Sequence, residues 1–241
     1  MMTFTSVPSA PLPVLWRARG GAGAMEPLQD FTPAAVDLFS NMRVPAALIA
    51  GAVIPFGFAA MPRPVMGESR GKRLAKITSA LLASFTLATE LITIVYATVA
   101  VNKLREVVPA PSSSLMQLLQ RDYEMGWLGV NVHFFAGLIS LAIMSSITIW
   151  LNFGMQVGRA AAFGASAAVC LMIAIVNNGI HQGDGTGEFR FGGNLFTLTL
   201  RYLVLLARNG LHNGPRFLLW AALALAVASI QSTYNALTDD V

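Results

Sequence analysis

Long apolar runs, with nearly all the charge placed between them, constrain this chain more than anything else in it. The clearest are residues 74–101, 130–151, 160–176 and 217–230. A further run, 44–61, is shorter and is broken by Pro45 and Pro55. A bilayer core about 30 Å thick takes roughly 20 apolar helical residues to cross. The expected fold is all-α: an integral membrane helical bundle of four to five spans. Residues 194–208 differ from the spans. Asn194, Thr197, Arg201 and Arg208 fall near one helical stripe. That pattern predicts one short amphipathic helix lying at the membrane surface. Asn209-Gly210 supplies its stop signal, and Pro215 opens the last span at the tolerated first-turn position.

Composition agrees. Hydrophobic residues make up 55% of the chain and charged residues 12%, about half the usual charged share of ~25%. The 241 residues suit one membrane domain, 44–241, with a tail at 1–43. The tail reads as a leader or a partner-binding arm. Residues 1–25 hold Arg17 and Arg19, no acid, and the small run Gly20-Gly21-Ala22-Gly23-Ala24, as transit peptides do. The net charge of +4 belongs to orientation rather than to nucleic-acid binding. The loop 62–76 carries Arg63, Arg70, Lys72, Arg73 and Lys76 against Glu68 alone. A basic short loop stays on the cytoplasmic or stromal side. A single cysteine, Cys170, excludes an intramolecular disulfide and a Cys-ligated cluster.

Pro45 fits the first turn of a helix, and Pro55 would kink one. The connection 177–194 is Gly-rich and includes Gly183-Asp184-Gly185-Thr186-Gly187. No strand precedes it and no Lys-Ser/Thr follows, so a phosphate cradle is disfavoured.

Glu90 is the most pointed residue. Ser79, Ala83, Thr86, Glu90, Thr93 and Ala97 share one small, polar stripe on an otherwise apolar helix. Such a face packs against another helix. A carboxylate at that depth costs roughly 2.5–3.5 kcal/mol on insertion scales, so Glu90 is expected neutral and hydrogen-bonded across to a neighbouring helix. A proton relay or a pigment-magnesium ligand are the functional alternatives. His133 shares a face with Gly137, Ser140 and Met144. Gly137 leaves room one turn away for a flat ring. A neutral imidazole is a good axial ligand, so His133 is the candidate ligand for a chlorophyll magnesium, with Asn131 as a competing ligand. The bland reading is an interfacial histidine bonded to backbone or headgroup. His181 and His212 lie outside the spans, which argues against a bis-histidine haem. Gly158, Ala161, Ala165 and Ala168 suggest a helix-packing seam. Trp127, Trp150 and Trp220 sit near predicted span ends, as interface anchors do. No catalytic constellation is visible, so no enzyme and no soluble substrate are expected.

The segments Glu90-Leu91, Ala97-Thr98-Val99-Ala100-Val101-Asn102-Lys103-Leu104, Asp122-Tyr123-Glu124 and Trp127-Leu128-Gly129-Val130-Asn131-Val132-His133-Phe134 carry a resemblance. Residues 40–180 are similar to plastid multi-span membrane proteins of algae with secondary plastids. Proteins of that kind include accessory subunits of photosystem I and its antenna. The paired Glu-and-Arg helix signature of chlorophyll a/b antenna proteins is missing. The resemblance implies a chloroplast thylakoid location with loop 62–76 stromal. It also implies photosystem core or antenna subunits as partners, with chlorophyll, carotenoid and lipids as bound molecules. A small ion-coupled transporter using Glu90 and a membrane-embedded assembly factor are the competing readings.

Overall fold

Asp30 accepts a hydrogen bond from the Thr32 backbone N–H at 2.8 Å, and Pro33 sits in the first turn. Together they open α1, Thr32–Val53, well before the apolar run begins. In this computed structural model, residues 15–16, 27–63, 65, 67–181, 194–212 and 216–238 are described. The remaining elements are α2 (Arg70–Glu106), α3 (Leu115–Asp122), α4 (Glu124–Phe153), α5 (Met155–His181), α6 (Leu195–His212) and α7 (Arg216–Thr238). Leu15–Trp16 and Pro27–Leu28 form a two-residue antiparallel pairing. The Gly-rich motif 183–187 and most of residues 1–26 lie outside the described residues.

Four helical stretches are long and apolar enough to cross a membrane: Thr32–Ala59, Arg70–Glu106, Glu124–Phe153 and Met155–Asn177. The chain is an all-α bundle of membrane-spanning length. The expected fifth span falls in α7, whose apolar stretch, Trp220–Ser232, is shorter.

The first span corrects the expectation built on its prolines. Pro45 does not open a helix; it lies inside α1. The helix runs through it and continues as a π-helical turn, Ile54–Ala59, with Pro55 at its start. The Ala60 N–H donates to the Pro55 carbonyl at 2.9 Å. The wider turn absorbs the residue that Pro55 would otherwise force out of the helix.

α2 is the mast of the bundle. Its 37 residues would span about 55 Å at 1.5 Å each, so its charged ends project past a bilayer core. The most extensive contact is α2 against α4, followed by α1 against α2. Two apolar clusters bracket that packing. One joins Ala35 and Phe39 of α1, Ala97, Ala100, Val101 and Leu104 of α2, Leu118 and Leu119 of α3, Leu128 and Val130 of α4, and Leu198 and Tyr202 of α6. The other joins Val53, Ala83 and Met144. Gly57 closes the second cluster. A Cβ there would lie 2.7 Å from Ala83 Cβ and 2.9 Å from Met144 Sδ.

The connection after α2 holds the short helix α3. Ser114 accepts from the Gln117 N–H at 3.1 Å, and Gln117 Oε1 accepts from the Ser113 N–H at 2.7 Å. This is a variant of the reciprocal capping box. A backbone bridge between Gln29 and Ser112 ties the start of α1 to the same end of the bundle. α1 and α2 therefore run antiparallel.

α4 ends at Gly154, whose φ of +87° favours glycine. α5 folds back against α4, and a Cβ at Gly158 would collide with Trp150. α6 covers the predicted surface helix but runs past Asn209-Gly210 to His212. Those residues do not stop it.

Candidate functional site

The polar stripe of α2 is the first layer of the site. Ser79, Ala83, Thr86, Glu90, Thr93 and Ala97 are all fully buried. The facing stripe of α4 is buried at Gly137, Ser140, Met144 and Thr148. Small side chains let the backbones approach, and hydroxyls bridge them. Ser79 and Thr148 share a hydrogen bond at 3.1 Å across the two helices. The threonines turn inward on α2 itself. Thr86 donates to the Leu82 carbonyl, Thr89 to Phe85 and Thr86, and Thr93 to Thr89, all at 2.8–3.0 Å.

Glu90 sits in this seam, and two expectations change there. Its carboxyl was to be hydrogen-bonded across the interface. Instead both oxygens are buried with no hydrogen-bond partner among the described residues. The room expected beside Gly137 is not free either. A Cβ at Gly137 would collide with Glu90 Oε1, and it would lie 2.8 Å from Glu90 Cδ and 3.0 Å from Thr89 Oγ1. Glycine is required at 137 because the carboxyl fills the space a side chain would take. A pigment reached by Glu90 would therefore need the α2–α4 seam to part.

His133 lies one turn from Gly137 on α4 and is half-buried. Its Nε2 shares a hydrogen bond with the Tyr202 hydroxyl at 3.0 Å. The Tyr202 hydroxyl also meets the Tyr96 hydroxyl at 3.1 Å. The Tyr96 ring stacks on the imidazole with centroids 6.1 Å apart and 18° between planes. Tyr202 stands edge-on to both rings. Gly129 makes room for Tyr96; a Cβ there would lie 3.0 Å from the ring. Three helices, α2, α4 and α6, thus converge on one phenol–imidazole–phenol cluster. To ligate a chlorophyll magnesium through Nε2, His133 must leave Tyr202. The Asn131 amide donates to the Trp127 carbonyl at 2.8 Å, so its side-chain oxygen is the atom a ligand role would use.

Sequence reasoning missed Tyr96 and Tyr202. A tyrosine in an apolar helix reads as packing. The available signal was Tyr202 directly following Arg201 in a helix with few polar residues. Arg201 forms an ion pair with Glu124 at the start of α4. The other three polar residues of the α6 stripe divide: Asn194 and Thr197 cap the helix, with the Thr197 N–H donating to Asn194 Oδ1 at 2.8 Å, and Arg208 is exposed.

The loop before α2 is latched by charge. Lys76 is buried and donates to Glu68 at 2.7 Å and to the Arg63 carbonyl at 2.9 Å. The Lys76 hydrogen bond, reinforced by the charges of Lys76 and Lys72, holds the Glu68 carboxyl below the usual range despite an opposing effect of burial. Among the described residues, no group of three or more His, Cys, Asp or Glu side chains is placed to hold a metal ion. Comparison with known protein families, curated proteins and solved structures finds no match to this chain.

Proposed function

We propose that this chain is a non-catalytic subunit of a larger membrane assembly, held there by the outer face of α5. The observation that carries the reading is the state of that helix. Met155–Asn177 is apolar enough to span, yet none of the residues in its apolar window is buried within the chain. Gly158 is seated on α4, Ala161 and Ala165 are half-buried, and Ala168 is exposed. Gly164 has nothing within 4 Å of where a Cβ would lie. A span so rich in small residues suits close approach by another helix. The resemblance of residues 40–180 points to a thylakoid photosystem, photosystem I foremost, as the assembly, and to antenna pigments and lipids as what the subunit helps to hold. Loop 62–76 is then stromal. A native gel of solubilised membranes, probed for this chain, tests it. Co-migration with a chlorophyll-bearing complex is expected; a small colourless band would sink the reading.

A second reading, a small ion-coupled carrier, draws on one observation: Glu90 is fully buried with both oxygens unpartnered among the described residues. Ion flux into liposomes carrying only this chain, abolished by Glu90→Gln, would put it first.

A further inference from the structure

We propose that Glu90 is the inner end of a one-sided proton path, loaded from the membrane face where α4 begins through Tyr96, Tyr202 and His133. The polar groups of the α2–α4–α6 junction form three successive levels along α4. At its first residue, Glu124 pairs with Arg201. His133 stands nine positions further in and meets the two phenols. Gly137 follows one turn later, against the Glu90 carboxyl. At 1.5 Å per residue these levels are separated by about 14 Å and about 6 Å. Arg201 and Tyr202 are adjacent on α6, so one helix contributes to the outer two levels.

The middle level has the property a relay needs. Its hydrogen bonds can run in either direction. Tyr96 can donate to Tyr202 and Tyr202 to His133 Nε2, or His133 Nε2–H can donate to Tyr202 and Tyr202 to Tyr96. Each direction leaves every shared atom satisfied, and an imidazole can bind a hydrogen at one ring nitrogen while releasing one from the other. A proton arriving at Tyr96 oxygen forms an O–H bond there. The Tyr96 proton passes to Tyr202 and the Tyr202 proton to His133 Nε2. The imidazolium then gives up one hydrogen to the Glu90 carboxylate, which becomes a carboxyl. One proton moves and no electron does. The last step crosses about one turn of α4, from the level of His133 to that of Gly137, and a bridging water would have to carry the proton across it. Thr93 lies buried on the same α2 stripe between Glu90 and Tyr96.

On the opposite side the seam holds the buried hydroxyls of Thr86, Ser140, Ser79 and Thr148 but, among the described residues, no titratable group before Lys76; Thr86 donates to the Leu82 carbonyl of its own helix, and Ser79 and Thr148 bond to each other. Beyond Glu90 the seam closes on Val53, Ala83 and Met144, with Gly57 packed against the last two. The buried α1 positions between the two clusters, Ala46 and Ala50, are apolar. Buried polar atoms are almost always paired. A carboxyl left without a partner one helical turn from the imidazole that ends a hydrogen-bonded chain is placed to take up and release a proton. The path does not rest on the assembly role, since a subunit that only packs would still contain it.

The test is deuterium exchange of the buried carboxyl in the purified full-length protein, followed by infrared spectroscopy. The carboxyl C=O band that Glu90→Gln removes is assigned to Glu90. In wild type it should shift promptly on transfer to D2O. Tyr202→Phe keeps the ring and removes the bridging hydroxyl, and should slow the shift by about tenfold or more, a barrier change of ~1.4 kcal/mol. Ser140→Ala, on the far side of Gly137, should leave the rate unchanged. Should Tyr202→Phe fail to accumulate, Tyr96→Phe carries the same expectation. No band lost in Glu90→Gln, equal rates in wild type and the phenylalanine variants, or equal slowing by Ser140→Ala would each overturn the path.

Discussion

Gly137 and Glu90 are a matched pair, and either residue alone explains the other. Adding a methyl at 137 forces the carboxyl or a helix to move. Overpacking of this kind costs about 1–3 kcal/mol. Gly137→Ala is therefore expected to destabilise the bundle by that amount in a denaturation assay. In the Glu90→Ala background the same change should cost much less, because the space is vacated. Additive effects in the cycle would show that the two do not share one site. Glu90→Gln should be tolerated, since it keeps shape. Glu90→Lys should lower the folded yield, because a lysine at mid-membrane costs about 2.5–3.5 kcal/mol. The Glu68–Lys76 latch makes a separate prediction. The folded Glu68 carboxyl binds its proton more weakly than the unfolded one, held so first by the Lys76 hydrogen bond. Its contribution is fully present above the unfolded value of about 4.3 and is lost as pH falls through the lower folded value. Hydrogen exchange at the Glu68 amide should accelerate in that acidic window and not between pH 6 and 8. Early loosening near neutrality would mean the latch is not the carboxylate.

At the scale of elements, the helices most legible in the sequence were those with the strongest contrast. The stripe from Ser79 to Ala97 stood out because polar and small residues recur at helical spacing in an apolar background, and all six are buried. The α4 face was legible for the same reason. What fills the gap at Gly137 was not, because helical periodicity fixes which residues share a face but not what the neighbouring helix brings there. The start of α1 was hidden because Asp37, Asn41 and Arg43 dilute the apolar run; Asp37 and Asn41 point outward and Arg43 is half-buried. α3 was hidden by the charges around it, although Ser114-x-x-Gln117 ahead of Leu118 and Leu119 is a readable start signal. Ser114→Ala should remove the cap at a cost of about 0.5–2 kcal/mol. Faster amide exchange confined to α3 and the Gln29–Ser112 bridge would report it, and unchanged exchange would mean that packing alone holds the helix.

At the scale of the molecule, the chain is well packed on one side and open on the other. α1, α2 and α4 bury one another, while α5 touches the bundle mainly through α4 and leaves its apolar surface uncovered. A bilayer covers an apolar helix as well as a protein does, so the distinction lies in what sits beside α5. Cys170, the one cysteine in the chain, is exposed on that helix, so the native protein already carries a probe there. A thiol-directed photo-crosslinker attached to Cys170 in native membranes, followed by identification of the adducts, measures the neighbour of α5 directly. A discrete adduct with one or two polypeptides, in fixed ratio to this chain, is the result expected of an assembly subunit. Adducts with lipid alone would contradict it.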